Sequence, residues 1–329
     1  MASEDLAVLQ AEFPSFKIWE EQTPGRVRYV ARSRSEGVNP HTVITADIGE
    51  LREALQPATA SAGPAAFSFA RPNIARMYSY WLRQKDHYAI DRAAAARVLD
   101  QFPEVAEVAL ANRAFMTRAV HYLADEGITQ FLDVGSGLPA SPNVHETART
   151  VTPGARVVYG DRDPVVLAHA RALLAVDNRV GVIAGDIRDP GSILAEAAAS
   201  GVIDTSRPAG VLLLSVLHFL TAAEADAAVA VFRERMAPGS YLVISAGTST
   251  GTDPALIRLL QEVYGDTAPV TGRAESEIAA WFDGLTLVEP GLAEVWAWRP
   301  DTWRRPVTAR VRFLAGVGFK APGRVAWLV

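Results

Sequence analysis

The chain has 329 residues, 49% of them hydrophobic, and its 32 basic and 37 acidic side chains leave a net charge of -5. That is enough for one large domain plus a small one, and the charge balance excludes the basic footprint of a nucleic-acid binder. With no cysteine, disulfides, thiolate metal sites and cysteine nucleophiles are excluded. The histidines show no HExxH or paired helical spacing, so no metal is expected. MASEDLAVLQ is acidic and amphipathic, and the longest apolar run, Gly210 to Leu220, is too short for a bilayer. A cytoplasmic protein without a membrane partner is expected.

Residues 1–56 read as a small α+β module. A helix carrying Leu6, Leu9 and Phe13 precedes three short strands, Phe16 to Trp19, Val27 to Ala31 and Thr42 to Thr45. Pro24-Gly25, Gly37 and Asn39-Pro40 supply the turns, and a helix from Ile48 to Leu55 closes the unit. Arg26, Arg28, Arg32 and Arg34 alternate along one strand and share a face, read as solvated in preference to an anion site. Residues 57–66, PATASAGPAA, form a linker by composition, and 67–329 form the main domain.

Phe67 to Arg92 mixes rings and charges. Ile74, Met77, Tyr78 and Trp81 recur at helical spacing, so this segment is either a helix docked on the domain or a lid whose Tyr78, Tyr80, Trp81 and Tyr88 face a substrate. Helices follow at Ala89 to Phe102 and Glu104 to Asp125. The second buries Val105, Val108, Phe115, Ala119, Val120 and Leu123, with Asn112 close to that stripe, where an amide needs a partner.

Phe131, Leu132 and Val134 form an apolar run that stops at Gly135-Ser136-Gly137, the way a buried parallel strand enters a tight turn before a helix. Apolar runs then alternate with helical stretches at Val157 to Tyr159, Val180 to Ala184, Val211 to Leu217 and Tyr241 to Ser245. That rhythm predicts a doubly wound, Rossmann-like α/β sheet. Three successive strands end near Asp133, Asp161 and Asp186, at the edge where such sheets bind ligands. Asp161 lies about 20 residues past the glycine turn, the spacing at which a carboxylate meets a ribose diol. Pro139 removes a donor that a pyrophosphate would use, and no GxxxxGK[ST] loop occurs. S-adenosylmethionine (SAM) therefore fits this edge better than NAD or ATP.

Helices are expected at Pro164 to Leu174 and Ile193 to Ala199. Ser215, Leu217, His218 and Phe219 leave the fourth strand at the ligand edge. His218 is there either a base or acceptor orienter, its ordinary pKa of about 6.5 suiting a proton transfer, or a core histidine. Helices at Asp253 to Tyr264 and Ala274 to Phe282 precede a closing antiparallel pair, Leu285 to Val288 with roughly Arg310 to Phe319.

RPNIARMYSYWL, KDHYAIDR, ANRAF, FLDVGSGLP, NVHE, VVYGDRDPVVLAHARALL, VLHFL, APGSYLVIS, LVEPGL and WRPD carry a resemblance. From about Arg71 onward the chain resembles the S-adenosyl methyltransferase family long held as a domain of unknown function. The resemblance implies a class I methyltransferase fold, a doubly wound sheet ending in an antiparallel hairpin, with SAM as cofactor and S-adenosylhomocysteine as product. It implies that Asp133, Gly135 and Gly137 form the first cofactor motif, Asp161 the ribose acid, and Asp186 with Ile187 the adenine side; Ser136, Arg162 and Ser215 are further cofactor-binding candidates. Where the family has Gly-Gly before Lys-Asp, this chain has Arg83-Gln84. The reaction expected is O- or N-methylation of a small molecule. The rival readings are a SAM sensor without methyl transfer, which uses residues 1–56 for interaction, and an enzyme that consumes the SAM skeleton.

Overall fold

The computed structural model describes residues 2–23, 26–34, 42–55, 71–265, 267–300 and 310–322. The linker, the turns at 24–25 and 37–40, residues 67–70 and the tail from 323 lie outside that set. In the first module, α1 (Ala2–Glu12) and α2 (Ile48–Leu55) cover an antiparallel sheet ordered β1 (Phe16–Thr23), β2 (Arg26–Ser33), β3 (Thr42–Thr45). Alternation along the strands turns Phe16, Ile18, Ala31 and Val43 into one core with Leu9, Phe13, Leu51 and Leu55. β1 and β2 outrun their predicted lengths because Glu20, Glu21 and Gln22 pair with Tyr29, Arg28 and Val27. Polar cross-strand pairs of this kind extend a ladder without burying it.

The large domain has five parallel strands: β4 (Gln130–Val134), β5 (Arg156–Asp161), β6 (Val180–Ala184), β7 (Gly210–Leu214) and β8 (Tyr241–Gly247). β9 (Thr286–Leu287), β10 (Ala293–Glu294) and β11 (Phe313–Phe319) complete it, in the order β6-β5-β4-β7-β8-β11-β10 with β9 also on β11. β11 runs antiparallel to β8, Ala315 opposite Ser245 and Val317 opposite Val243. The closing strands are thus antiparallel as expected, but they do not form a tight hairpin: β11 sits inside the sheet, with β9 and β10 outside it. Chain order reverses between β4 and β7, which pair directly, and open α/β sheets bind ligands outside such a switch point.

Each face of the sheet has its own core. Leu132, Val134, Leu213 and Ile244 pack with Ile193 of α8 (Pro190–Ala199), Phe232 of α9 (Ala222–Arg235) and Ile278 of α11 (Glu275–Ala280). Phe131, Val157, Leu212 and Val243 pack on Phe115 and Val120 of α5 (Glu104–Asp125) and Ala148 of α6 (Val144–Val151). A third cluster lies over the carboxyl edge. Met77 and Trp81 of α3 (Ile74–Trp81), Val98 of α4 (Ala89–Gln101), Val105 and Val108 of α5, and Leu256 and Tyr264 of α10 (Pro254–Tyr264) build it.

Two short connections hold this helical cap in place. The buried Arg76 and Asp91 pair at 2.7 Å, and Asp91 also accepts from the backbone N–H groups of Asn73 and Tyr88. The Asn73 side chain caps α3 and also donates to Asp163, the N-cap of α7 (Pro164–Leu173). The first module reaches the same helix from the other side, with Arg171 of α7 pairing with Glu50 at 3.0 Å.

Candidate active site

The glycine turn is shaped by its neighbours. Gly135 and Gly137 have φ of 71° and 66°, a left-handed conformation that glycine adopts without the Cβ penalty. A Cβ on Gly135 would lie 2.7 Å from Val216 Cγ2, whereas one on Gly137 would meet nothing within 4 Å. The first glycine is therefore forced by packing against the loop after β7. The second leaves backbone open to whatever lies above the turn. The turn is pinned from β5, since Gly160 O accepts from both Gly135 N and Ser136 N.

Asp161, at the end of β5, accepts from Gly137 N through one carboxylate oxygen and from Asp163 N through the other, each at 3.0 Å. Burial pushes its pKa up to about 6 despite those N–H groups. Asp186 behaves in the opposite way. Hydrogen bonds and charge from Arg188, with Arg162 at 3.3 Å, outweigh its burial and bring it down to about 2.

A cavity of about 530 Å³ opens above this edge, within the usual range for small-molecule sites. Gly135, Ser136, Gly137, Asp161, Arg162, Asp186, Ile187, Ser215, His218, Tyr78 and Trp81 all border it. Ser215 holds φ of 57° because its N–H is fixed by Ser245 O at 3.0 Å and Ser245 Oγ at 3.1 Å. Backbone held there by its neighbours is the kind of local strain found at functional sites.

The residues present suit an adenosyl ligand with a neutral linker. A carboxylate stands at the ribose spacing, the Gly137 backbone lies open, the Ser136 Oγ is buried without a partner among the described residues, and Ile187 gives an apolar wall. Comparison with known proteins agrees. Residues 61–321 match the S-adenosyl methyltransferase family. A candidate methyltransferase from Thermobifida fusca YX is 41% identical over 77% of this chain and 97% of its own, with a TM-score of 0.72. A DUF574 family protein from Streptomyces avermitilis MA-4680 is 34% identical over 77% of this chain and 98% of its own, with a TM-score of 0.71. No curated protein matches in sequence.

The chain belongs to the S-adenosyl methyltransferase family.

In this methyltransferase three expected site residues stay off the cavity wall, each for a physical reason. Asp133 follows Leu132 on the opposite pleat of β4 and is buried, 7% exposed. Tyr88 is buried under the Arg76 guanidinium, 4.8 Å from its ring centroid. Tyr80, two positions from Tyr78 on a helix, turns away and meets the His87 ring edge-on at 5.1 Å. Asp133, Tyr80 and Tyr88 therefore do not line the cavity as expected. Tyr78 keeps its place, accepting from Asn112 Nδ2 at 3.0 Å and donating to Ala109 O at 3.2 Å, with its pKa raised by burial.

The methyltransferase also gathers residues that the sequence does not single out for the site: Leu256, Tyr264 and Phe313 border the cavity, beside Phe219 at the expected edge. His218 stands among them, its ring centroid 4.3 Å from Phe219 and 5.6 Å from Phe313. Burial lowers its pKa to about 4, so the imidazole is neutral at physiological pH. The departure at Arg83-Gln84 has a structural mark as well. Arg83 sits at φ of 59°, a position where glycine costs nothing, and Gln84 borders the cavity.

Burial pushes Asp133 up to about 7, with Arg113 pulling it down and Asp161 adding to the rise. A carboxyl raised in this way holds its proton better folded than unfolded, so its contribution to stability is full below 3.8 and is lost as pH rises from there to about 7. Asp133→Asn keeps the neutral shape. Denaturant unfolding at pH 8 should find the variant more stable by on the order of 2 kcal/mol, a gain that is smaller at pH 5 and vanishes only below the carboxyl's ordinary 3.8. Equal stability at both pH values would mean that the buried carboxyl is solvated in some other way.

Proposed function

We propose that this methyltransferase methylates an oxygen or nitrogen of a small molecule bound in the cavity, with Gly135, Ser136, Gly137, Asp161, Arg162, Asp186, Ile187 and Ser215 holding the cofactor. The observation that carries the reading is that a single cavity joins the glycine turn and Asp161 to His218 and the rings around it. When bound, SAM supplies an activated methyl group, and S-adenosylhomocysteine remains after transfer. The chain's own part is alignment in a dry pocket. Tyr78 and Trp81 bring the cap over the edge and exclude water, Asp161 orients the ribose, and the neutral imidazole of His218 takes the proton that the acceptor loses.

Incubation with SAM and candidate extracts should release S-adenosylhomocysteine together with a product heavier by one methyl group. SAM binding without S-adenosylhomocysteine in any extract would favour the sensor reading. Appearance of other SAM-derived carbon in the product would favour use of the skeleton.

Residues 1–56 are taken as a module of their own, dispensable for the cofactor. Their core is made from their own side chains, and they fall outside the matched residues 61–321. A chain beginning at Ala66 should stay soluble and bind S-adenosylhomocysteine within about twofold of the full protein by calorimetry, less than 1 kcal/mol. Loss of binding would make the contact with α7 integral to the large domain.

A further inference from the structure

The cavity is chemically divided. Its charged residues at the β5–β6 side, Asp161, Arg162, Asp163, Asp186 and Arg188, with Glu224, belong to the cofactor edge. On the side formed by α3, α5, α10 and the start of β11, Arg312 is the one charged residue among the described ones. Its charge is already spent, on Glu294 at 2.6 Å and Glu275 at 3.1 Å. An ion entering this side would lose its water and gain no counter-charge, which apolar surroundings penalise heavily.

Two further features say what does suit it. His218, Phe219, Phe313 and Tyr264 form a continuous run of rings, Phe219 to Tyr264 being 5.3 Å between centroids. Rings in offset or edge-on contact favour a flat aromatic partner. Asn112 and Tyr264 are also 4% and 1% exposed, and each carries one buried atom, Asn112 Oδ1 and Tyr264 OH, with no hydrogen-bond partner among the described residues. Unmade bonds of that kind are costly and rare in native proteins, and both residues border the cavity. An amide oxygen and a phenol are neutral groups that together accept from and donate to a hydroxyl.

We propose that the methyl acceptor is an uncharged, planar aromatic compound carrying a hydroxyl group, seated against Phe219, Tyr264 and Phe313 and read by Asn112 and Tyr264. This rests on the methyltransferase reading of the same cavity. Carboxylates, phosphate esters and ammonium compounds are disfavoured there because no opposite charge awaits them.

Calorimetry on the full chain saturated with S-adenosylhomocysteine, at pH 7.5, can compare four probes of one shape: 2-naphthol, naphthalene, 2-naphthoate and 2-naphthylmethylammonium. The expected order places 2-naphthol first, at least tenfold tighter than either ion and measurably tighter than naphthalene. Val270 borders the cavity, and the next residue, Thr271, donates its N–H to His218 O at 2.9 Å. Val270→Lys should therefore bring 2-naphthoate to within threefold of 2-naphthol. Equal or tighter binding of either ion by the unmodified protein, or no gain of 2-naphthol over naphthalene, would overturn the acceptor class while leaving methyl transfer standing. Failure of S-adenosylhomocysteine itself to bind would overturn both.

Discussion

Asp161→Ala should weaken S-adenosylhomocysteine binding by about 1.5 to 3 kcal/mol, the cost of losing charged hydrogen bonds, or roughly 10- to 150-fold in Kd. The carboxylate has two duties. It offers acceptors at the ribose spacing from the glycine turn, and it holds Gly137 N and Asp163 N at 3.0 Å, so its removal also frees the turn and the start of α7. Asp161→Asn separates the two. The amide oxygen can still accept from one N–H, so the turn should be partly kept while the charge is lost. Calorimetry on both variants that returned the wild-type affinity would refute the ribose assignment.

His218→Ala should lower turnover by about 10²-fold if the imidazole takes the acceptor's proton. A histidine whose pKa is depressed to about 4 by burial is neutral through the physiological range, so kcat should be flat from pH 8 down to about 5. It should fall as pH drops through about 4, where the protonated ring no longer accepts. The variant should lack that acid limb. A merely packing histidine predicts otherwise: turnover would change only slightly, melting would shift, and the acid limb would persist in the variant. So weak a base suits a proton that leaves as the methyl arrives and not before, when the acceptor's hydroxyl is becoming acidic.

Much of the scaffold was legible before any coordinates, because its signals are local. β3, α2 and α5 have the bounds that apolar spacing predicts, and the glycine turn with Asp161 at its set distance marked the edge above which the cavity opens. What escaped did so for identifiable reasons. α9 buries Ala225, Ala228, Val229 and Phe232, and an alanine face does not stand out in a segment whose exposed side is also alanine-rich. α6 is short and owes its start to the Asn143–Glu146 capping box more than to periodicity. β10 has two residues, too few for any alternation.

The candidate site was less legible because its aromatic side is assembled from distant segments. Tyr264 and Phe313 join Phe219 only through the packing of α10 and β11 over the edge, and no spacing in the chain announces it. Asn112 was visible as an amide near an apolar stripe, yet which of its atoms lacks a partner depends on Tyr78. Tyr80 and Tyr88 show the converse error. Aromatic density along the chain suggested one lining, whereas helix rotation and the Arg76 contact send these two rings elsewhere.

The placement of β11 bears on how the protein is made. Translation lays down β8 some seventy residues before the strand that covers its outer edge, and throughout that interval the N–H and C=O groups of Tyr241 to Gly247 on that side have no ladder to join. The flanking apolar residues of β8 are fully buried once β11 is seated, so a nascent chain stalled before Phe313 would present a long, sticky edge of the sort that templates aggregation. Yield in a cell should therefore depend less on the cofactor half of the domain, which can close early around β4 to β6, than on rapid completion or chaperone cover of this late strand. A frameshift or stop codon just upstream of residue 313 would be expected to send the product to inclusion bodies even though every cofactor-side residue had already been synthesised.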